Sequence, residues 1–286
     1  MLSSLGDWKA NRMSVTILCI GDVVGKPGRR VLADVLPQLI RQRDIDLVVC
    51  NAENAAGGSG ITPAMFAKIL HYGVDVVTLG DHVYRRVEIA SALGQSDRIV
   101  RPANISAKAT GRRWTVVDTK DGRHRVAVAC VLGQMFMGSS DSPWATVEGI
   151  LAEIPSDVTI RVLDMHAEAS SEKIAMGWFC NGRMSVVFGT HTHIPTADAR
   201  VLDAGTAYIS DVGMTGPYDS VLGRKKHRVL QALTTSMPVP FDVADEDVRL
   251  CGVLAEVDPN TGKALSAERI EVHAPEPGNT QADPGH

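Results

Sequence analysis

Two histidines one residue apart, His191 and His193, follow an apolar run and a glycine in the segment MSVVFGTHTH. A buried strand needs the apolar run, but it has no need of imidazoles where it ends. Imidazoles are frequent ligands of first-row transition metals and the usual acids and bases near neutral pH. A surface loop that happens to contain histidine would explain this pair equally well, so the other strand ends must decide.

Polar side chains also follow four other apolar runs, VTILCIGD, LVVCNAEN, VDVVTLGDH and VTIRVLDMH, each of which predicts a strand. Singly, each polar residue has an ordinary explanation as a helix cap or a turn former. Ligand sites in layered α/β folds, however, lie beyond the carboxyl ends of the strands, and five such ends would bring about seven donor groups together. The donors at these four ends are Asp22, Glu53, Asn54, Asp81, His82 and His166.

Carboxylates, an amide and imidazoles, without a thiolate, suit Mn, Fe or Zn better than copper(I) or an iron–sulfur cluster. So many donors are too many for one tetrahedral ion. They match two ions that share a bridging carboxylate about 3.5–4 Å apart, an arrangement that hydrolyses phosphate esters. The sequence therefore predicts a dinuclear metal site, with His191 and His193 directed at different ions.

The elements that position these residues alternate between short apolar runs and amphipathic stretches. Helices are predicted through RRVLADVLPQLIRQRD, from Thr62 onward, and around RRVEIASAL, SPWATVEGILAEI and SEKIAMGWF. Later strands are expected near ARVLD, TAYISD, CGVLAEVD and ALSAERIEV, with hairpin turns at Asp121-Gly122 and Pro259–Gly262. This pattern predicts an α/β fold in which a sandwich of two sheets is covered by helices.

Composition sets limits on the class of protein. The chain has 286 residues, 44% of them hydrophobic, and a net charge of −4, which argues against a dedicated nucleic-acid coat. Its longest basic cluster, Arg224–Arg228, is interpreted as a solvated helix face. No run approaches the about 20 apolar residues of a membrane span. Five cysteines without a CxxC motif, some inside apolar runs, are typical of reduced thiols in a cytoplasmic protein.

The two ends differ from the rest in composition. Residues 1–13 lack the apolar segment of a signal peptide and are predicted to be a flexible N-terminal extension, unless Met13 is the natural start. Residues 274–286 are rich in Pro, Gly and polar residues, and we predict a disordered tail. A single domain is expected over residues 14–273.

Taken together, the motifs resemble those of the metallophosphoesterase superfamily, and most closely those of the YmdB-like branch of bacterial phosphodiesterases. The resemblance runs from about Val15 to Val272 and implies the calcineurin-like architecture, a two-sheet β-sandwich flanked by helices. It rests on the segments IGDVVGKPGRR, NAENAAGGSGIT, GDH, IVRPAN, DMHAEASSEKIAMGW, GTHTHIPTAD and SDVGMTGPYDSVLG.

The resemblance also implies a role for each donor. Glu53 would bridge the two ions, and His82 would be the catalytic imidazole beside them. One ion would be held by Asp22, Asn54 and His193, and the other by Asp81, His166 and His191.

Two positions depart from the wider superfamily. Val24 stands where the first motif, Asp-x-His, has histidine, a loss that the YmdB-like branch shares. Asp81 stands where the motif GNH has asparagine. A carboxylate can ligate as well as an amide, so Asp81 is kept as a ligand. Its extra charge leads us to expect tighter metal binding together with weaker Lewis acidity.

The expected activity is that of a phosphodiesterase in which a metal-activated hydroxide attacks a cyclic nucleotide or a similar small phosphodiester. The metals would be Fe or Mn, with Zn as a further candidate. The alternatives are a phosphomonoesterase, an enzyme that cleaves RNA or acts on an RNA end, and a catalytically weak regulatory protein that keeps its metals. A homo-oligomer is a further expectation from the resemblance. Glu168, Asp211 and Asp219 are predicted to be hydrogen-bond partners of the ligand imidazoles.

Overall fold

The computed structural model describes residues 13–275. The predicted extension, residues 1–13, and the predicted tail, residues 274–286, lie outside the described residues except for Met13, Ala274 and Pro275. The single domain expected over residues 14–273 stays a prediction. Within the described residues the chain forms thirteen strands and six α-helices.

The strands, in chain order, are β1 (Val15–Ile20), β2 (Leu47–Asn51), β3 (Val76–Thr78), β4 (Ile99–Val100), β5 (Trp114–Asp118), β6 (Arg125–Leu132), β7 (Ile160–His166), β8 (Val186–Thr190), β9 (Arg200–Val201), β10 (Ala207–Ile209), β11 (Gly216–Pro217), β12 (Val248–Val257) and β13 (Ala264–His273). The α-helices are α1 (Gly25–Gln42), α2 (Pro63–His71), α3 (Ala90–Gln95), α4 (Pro143–Glu153), α5 (Ser170–Phe179) and α6 (Lys226–Thr235).

The strands form two sheets. In the first, the order is β11-β12-β1-β2-β3-β4, and β13 also pairs with β12. Strands β1 to β4 run parallel, whereas β11 and β13 are antiparallel to β12, and β12 is antiparallel to β1. In the second, the order is β5-β6-β7-β8-β10-β9, with the two edge strands antiparallel to a parallel centre. The carboxyl ends of five parallel strands, β1, β2, β3, β7 and β8, carry the predicted donors.

The apolar core lies in three layers. Along β1, Leu18 and Ile20 pack with the core of α1 and α2, while Ile17 and Cys19 face the second sheet, as the period-two alternation of a strand requires. A third cluster lies between the second sheet and helices α4 and α5, and includes Val147 of α4. The predicted α/β sandwich of two sheets with helices outside is confirmed.

Local signals in the sequence explain several boundaries. Helix α2 begins at Pro63, and the side chain of Thr62 accepts a hydrogen bond from the backbone N–H of Met65 at 3.3 Å, so Thr62 caps the helix. Strands β5 and β6 are joined through the predicted Asp121-Gly122 turn, where Gly122 has φ of 69°. A hairpin also joins β12 and β13, as expected.

Other elements differ from the expectation. The stretch RRVEIASAL divides into a 3₁₀ helix, Val87–Ile89, and α3, instead of forming one helix. Strands β4 and β11 were not predicted, because two-residue strands carry no periodic pattern. The interpretation of Arg224–Arg228 as a solvated helix face is wrong for Arg224, because α6 begins only at Lys226 and the Arg224 guanidinium binds backbone carbonyls elsewhere.

Candidate metal centre

The two sheets direct all seven predicted ligands and His82 toward one place. Asp22 follows β1, Glu53 and Asn54 follow β2, and Asp81 and His82 follow β3. His166 is the last residue of β7, and the loop after β8 carries His191 and His193. The contacts among these residues divide them into two groups, which share Glu53.

The inner cluster consists of Glu53, Asp81, His166 and His191, whose candidate ligand atoms all lie within 4.8 Å of one another. His166 Nε2 is 3.3 Å from Glu53 Oε1, 3.2 Å from Asp81 Oδ1 and 3.1 Å from His191 Nδ1. Glu53 and His166 are buried, whereas the Asp81 side chain is 31% exposed. Two imidazoles and two carboxylates at this spacing could surround one first-row divalent ion.

The outer group consists of Asp22, Asn54 and His193. Asn54 Nδ2 is 3.2 Å from His193 Nε2, 3.5 Å from Asp22 Oδ1 and 3.4 Å from Glu53 Oε1. His193 Nε2 is 3.8 Å from Asp22 Oδ1. The same oxygen of Glu53 therefore contacts both groups, which is the position that a bridging carboxylate would need.

Asn54 is the one predicted ligand whose donor atom points away from the others. Its amide Nδ2 faces the outer group, and its carbonyl Oδ1 lies 2.8 Å from Nδ1 of His82. Ligation of a metal by the carbonyl oxygen therefore requires the amide to turn over. In the present arrangement Asn54 instead orients His82.

A buried network behind the inner cluster orients His166. Its Nδ1 is 2.8 Å from Thr190 Oγ1, and that hydroxyl is 2.6 Å from Asp164 Oδ1. Asp164 also accepts hydrogen bonds from Thr78 Oγ1 at 2.5 Å and Asn51 Nδ2 at 3.1 Å. Because the single hydrogen of the Thr190 hydroxyl is donated to the carboxylate, His166 Nδ1 must donate to Thr190. Nε2 is thus the nitrogen that faces the cluster.

The other two imidazoles are arranged in the same way. His191 Nε2 lies 3.2 Å from Glu168 Oε2, and His193 Nδ1 donates to the carbonyl oxygen of Leu222 at 3.1 Å. Each imidazole therefore fixes one nitrogen outside the site and turns the other inward, as metal-binding histidines do. Three inward nitrogens among three carboxylates fit divalent metal ions.

Charge within the inner cluster shifts its protonation equilibria. Burial alone would raise the pKa of the Asp81 carboxyl, but hydrogen bonds from His166 and His191 hold that pKa well below its ordinary value. Burial would lower the pKa of His166, but the Glu53 carboxylate and the hydrogen bond to Asp81 hold it well above the ordinary value. A metal ion must therefore compete with a proton on His166, so metal affinity should rise with pH.

Gly80, just before Asp81, leaves room for this cluster. A Cβ at this position would lie 2.2 Å from Nε2 of His166 and 2.3 Å from Oε2 of Glu53. Contacts this short are impossible for carbon, and neither neighbour is free to move, because both are buried and hydrogen-bonded. Any side chain at position 80 would therefore push the donors apart.

The loop after β8 holds its two histidines in an uncommon backbone conformation. His191 has φ of 95° and His193 has φ of 65°, values that non-glycine residues rarely adopt. Such strain persists only where surrounding contacts enforce it. One of these contacts is a hydrogen bond of 3.0 Å from the backbone N–H of His191 to Oδ2 of the buried Asp22.

Asp211 supplies further contacts to the same loop. Its Oδ2 accepts hydrogen bonds from the backbone N–H of Thr192 at 3.2 Å and from the Thr192 hydroxyl at 2.7 Å. The charge of Asp211 is balanced by Lys173 of α5, with Nζ 2.6 Å away, and both side chains are only 2% exposed. A buried ion pair thus fixes the residue between the two histidines.

The three residues predicted to orient imidazoles have different surroundings. Glu168 contacts His191, as expected for that role. Asp211 holds Thr192 and Lys173 and binds no ligand imidazole directly. Asp219 forms an exposed ion pair with Lys226 at 2.5 Å, so its contacts do not support the predicted role.

Sequence reasoning missed Asp164, Thr190, Lys173 and Arg224. Two of these had a signal in the sequence. Asp164 is a carboxylate inside the apolar strand VTIRVLDMH. Lys173 precedes Met176 by three residues and Gly177 by four, which places it on the buried face of α5. Thr190 and Arg224 had none, because their partners come from distant segments.

A cleft of about 350 Å³ opens onto the site. Its polar wall includes Glu53, Asn54, His82, His191 and His193. A larger cleft of about 620 Å³ lies between α1 and the ends of β12 and β13, but none of the predicted ligands lines it. We therefore assign the chemistry to the smaller cleft. Among residues 13–275, no helix has the length and apolar character needed to cross a membrane.

Comparisons with known proteins identify the family that the chain resembles. A family model described as "YmdB-like protein" matches residues 18–270. A 2',3'-cyclic-nucleotide 2'-phosphodiesterase of Bacillus subtilis (strain 168) is 40% identical over 257 residues, which cover 90% of this chain and 97% of that protein.

Two solved structures are similar along nearly the whole chain. A hypothetical protein from Thermus thermophilus has a TM-score of 0.85 and 35% identity, covering 91% of this chain and 100% of that one. A structure described as a novel phosphatase from Mycoplasma pneumoniae has a TM-score of 0.85 and 30% identity, covering 91% and 94%.

Proposed function

The chain belongs to the YmdB-like protein family and is a phosphoric ester hydrolase, and we propose that its substrates are small phosphodiesters, in particular cyclic nucleotides. The observation that carries this proposal is the set of three imidazoles that each present a nitrogen to the buried carboxylates. The 2',3'-cyclic-nucleotide activity named for the Bacillus subtilis relative supports the substrate class.

We further propose that the site holds two metal ions, with Fe or Mn as the first candidates and Zn as the next. The inner cluster would hold one ion and the outer group the other, with Glu53 shared between them. Bound ions of this kind lower the pKa of water and neutralise charge on a phosphate group. Asp22, Glu53 and Asp81 would bring three negative charges to balance them.

His82 is proposed as the acid that protonates the leaving oxygen. It lines the cleft, and its backbone N–H donates to Glu53 Oε2 at 2.9 Å. Its Nδ1 is 2.8 Å from the Asn54 amide, so Nε2 is the nitrogen left for the substrate. Once that amide turns over to bind a metal, Nδ2 of Asn54 would donate to Nδ1 of His82, and Nε2 would carry the proton for the leaving oxygen. A positioned imidazole typically contributes 10²–10⁴-fold to the rate of such a step.

Metal content per chain, measured together with hydrolysis of 2',3'-cyclic AMP, tests this proposal. Wild-type protein should hold close to two ions, and His82→Ala should keep the metals but lose roughly 10²–10⁴-fold in kcat. The matched control is His71→Ala, which removes an exposed histidine at the end of α2. Metal without turnover would favour the regulatory alternative, and absence of metal after incubation with Mn or Fe would overturn the site.

Parallel assays distinguish the enzyme classes. Faster hydrolysis of p-nitrophenyl phosphate than of bis-p-nitrophenyl phosphate would favour the phosphomonoesterase alternative. Cleavage of RNA, or reaction at an RNA end, would favour the alternative of an RNA-processing enzyme.

Two expectations about the cellular context are kept as proposals. Each of the five cysteines is buried and free, which supports a reducing, cytoplasmic environment. The exposed apolar side chains of Leu230, Leu233 and Met237 on and after α6 support a homo-oligomer. Light scattering of the purified protein would measure its oligomeric state.

A further inference from the structure

The cleft beside the metal centre has a second, apolar wall. It includes Val24, Val221, Leu222, Val229 and Phe241, which face the same space as the ligand residues. Leu222 is 47% exposed and Phe241 is 46% exposed. A phosphate group needs no such surface, so this wall suits the part of a substrate that lies beyond the phosphate.

Leu222 is held in this wall at a conformational cost. Val221 and Arg224 exchange two backbone hydrogen bonds of 2.9 Å, and between them Leu222 and Gly223 have φ of 51° and 89°. Two positive φ values form a tight turn that favours Asn-Gly or Gly-Gly, and leucine is strained there. The same Leu222 accepts the hydrogen bond of His193 through its carbonyl oxygen, so the turn joins the apolar wall to the outer group.

Arg224 lies beside this turn and is tied to the glycine loop after β2. Its guanidinium donates to the carbonyl oxygens of Gly57 at 2.9 Å, Gly58 at 2.6 Å and Phe241 at 3.0 Å. Gly58 permits this contact, because a Cβ there would lie 2.6 Å from Arg224 Cζ. The guanidinium thus links the Phe241 segment to the loop that follows Glu53 and Asn54.

The charge of Arg224 has no carboxylate partner in residues 13–275. Three of its five N–H groups are used by the carbonyls above, which leaves two donors and a half-buried positive charge. Burial lowers the pKa of this guanidinium, but an arginine stays charged near neutral pH. A cleft residue with spare donors next to apolar side chains is suited to a polar aromatic ligand.

We propose that Leu222, Phe241 and Arg224 form a nucleoside-binding subsite. This inference rests on the proposed phosphodiesterase function and names the part of the substrate that gives specificity. The base would pack against Leu222 and Phe241, and Arg224 would donate to an oxygen or ring nitrogen of the base or to a ribose hydroxyl. The phosphate would then lie against the metal centre, in a cleft whose volume is about 350 Å³.

The test compares two substrates with the same five-membered cyclic phosphodiester, 2',3'-cyclic AMP and glycerol 1,2-cyclic phosphate, which has no base. For Phe241→Ala, KM for 2',3'-cyclic AMP should rise roughly tenfold, because stacking on an aromatic side chain is lost. KM for the glycerol compound and kcat for both should be unchanged. The control is Phe136→Ala, which removes an exposed phenylalanine after β6 that does not line the cleft.

A binding measurement keeps the subsite testable apart from turnover. Calorimetry should show that wild-type protein binds adenosine 3'-monophosphate more tightly than glycerol 2-phosphate. In Phe241→Ala the ratio of the two dissociation constants should be about tenfold smaller. Arg224→Lys, which keeps the charge but loses the planar donors, should reduce the same preference. Equal binding of both phosphates by wild type would overturn the subsite. Selective binding without hydrolysis would uphold the subsite and overturn the proposed function.

Discussion

The inner cluster and the outer group use the same kinds of side chain, but they are supported differently. His166 belongs to β7, and behind it Thr190 and Asp164 belong to strands of the same sheet. The outer donors Asp22, Asn54 and His193 all lie on loops, as do the inner donors Glu53, Asp81 and His191, so His166 is the one of the seven that a strand holds. His193 is oriented by a backbone carbonyl, and Asn54 now presents its amide nitrogen.

The comparison shows how preorganisation depends on what stands behind a ligand. A donor on a strand, backed by buried hydrogen bonds, needs no rearrangement before it binds an ion. A donor on a loop must be fixed by other loops. One such donor, Asn54, must also turn its amide over before the carbonyl oxygen can bind an ion. We therefore expect the inner cluster to bind its ion more tightly than the outer group.

Removal of one imidazole from each group should separate the two affinities. His166→Ala should abolish the tighter binding. The loss of metal affinity should be well beyond the roughly 10–100-fold that follows when a hydrogen-bond partner of a ligand is removed. His193→Ala should abolish the weaker binding and leave the tighter one in place. Equilibrium dialysis of the metal-free protein against Mn²⁺ measures both. If either variant lost both ions equally, the distinction between the groups would be wrong.

Lys173→Met should affect both groups at once, because Asp211 fixes the loop that carries both His191 and His193. The variant leaves a buried carboxylate without its partner, which costs about 3–5 kcal/mol of the free energy of unfolding. Urea denaturation gives this quantity. Adding Asp211→Asn to the variant should recover part of the loss, since the uncompensated charge is then removed. No recovery in the double variant would show that the charge is not the cause.

Asp164→Asn tests the support of the inner cluster through pH. Burial raises the pKa of Asp164 from 3.8 to about 6, despite the opposing charge of His166. The fold therefore favours the protonated acid, and this stabilisation is present below pH 3.8 and lost as the pH rises through about 6. Across this pH range the free energy of unfolding falls by about 3 kcal/mol.

The variant lacks this titration. Between pH 4 and 7 the metal-free Asp164→Asn protein should therefore gain stability relative to wild type, as measured by urea denaturation at several pH values. At the same time its inner metal affinity should fall, because His166 loses part of its orientation. A difference in stability that does not change with pH would contradict the proposed burial of charge.

Asp81→Asn should have the smallest effect, and only on the inner cluster. One negative charge is removed while a ligand oxygen remains, so metal affinity there should fall about tenfold. Loss of metal to a chelator over time measures it, with the outer ion as internal control. Unchanged retention would count against a role for the additional charge at this position.

Much of the fold was predictable, because each strand end could be identified from an apolar run followed by polar residues. Parallel strands bring their carboxyl ends to one edge of a sheet, so Asp22, Glu53 and Asp81, which follow β1, β2 and β3, could be grouped from the sequence alone. The family follows from the same motifs. The short strands β4 and β11 could not be foreseen, since two residues carry no pattern.

The support of the site was harder to foresee than its ligands. Asp164, Thr190 and Lys173 act through partners on other strands and helices, and their distances depend on tertiary packing. Arg224 was placed on a solvated helix by its basic neighbours, whereas the strained turn at Leu222-Gly223 sends it to Gly57 and Gly58. Local sequence cannot indicate a turn that ignores its residue preference.

The backbone of His191 and His193 also determines how quickly the site fills. Hydrogen bonds to Asp22 and Asp211 hold this loop, with both histidines at positive φ, and these bonds need no metal ion. Little ordering of the chain then accompanies binding at the inner cluster. The speed of uptake there should follow the rate at which each kind of ion sheds its water, and ions with slow water exchange should enter last.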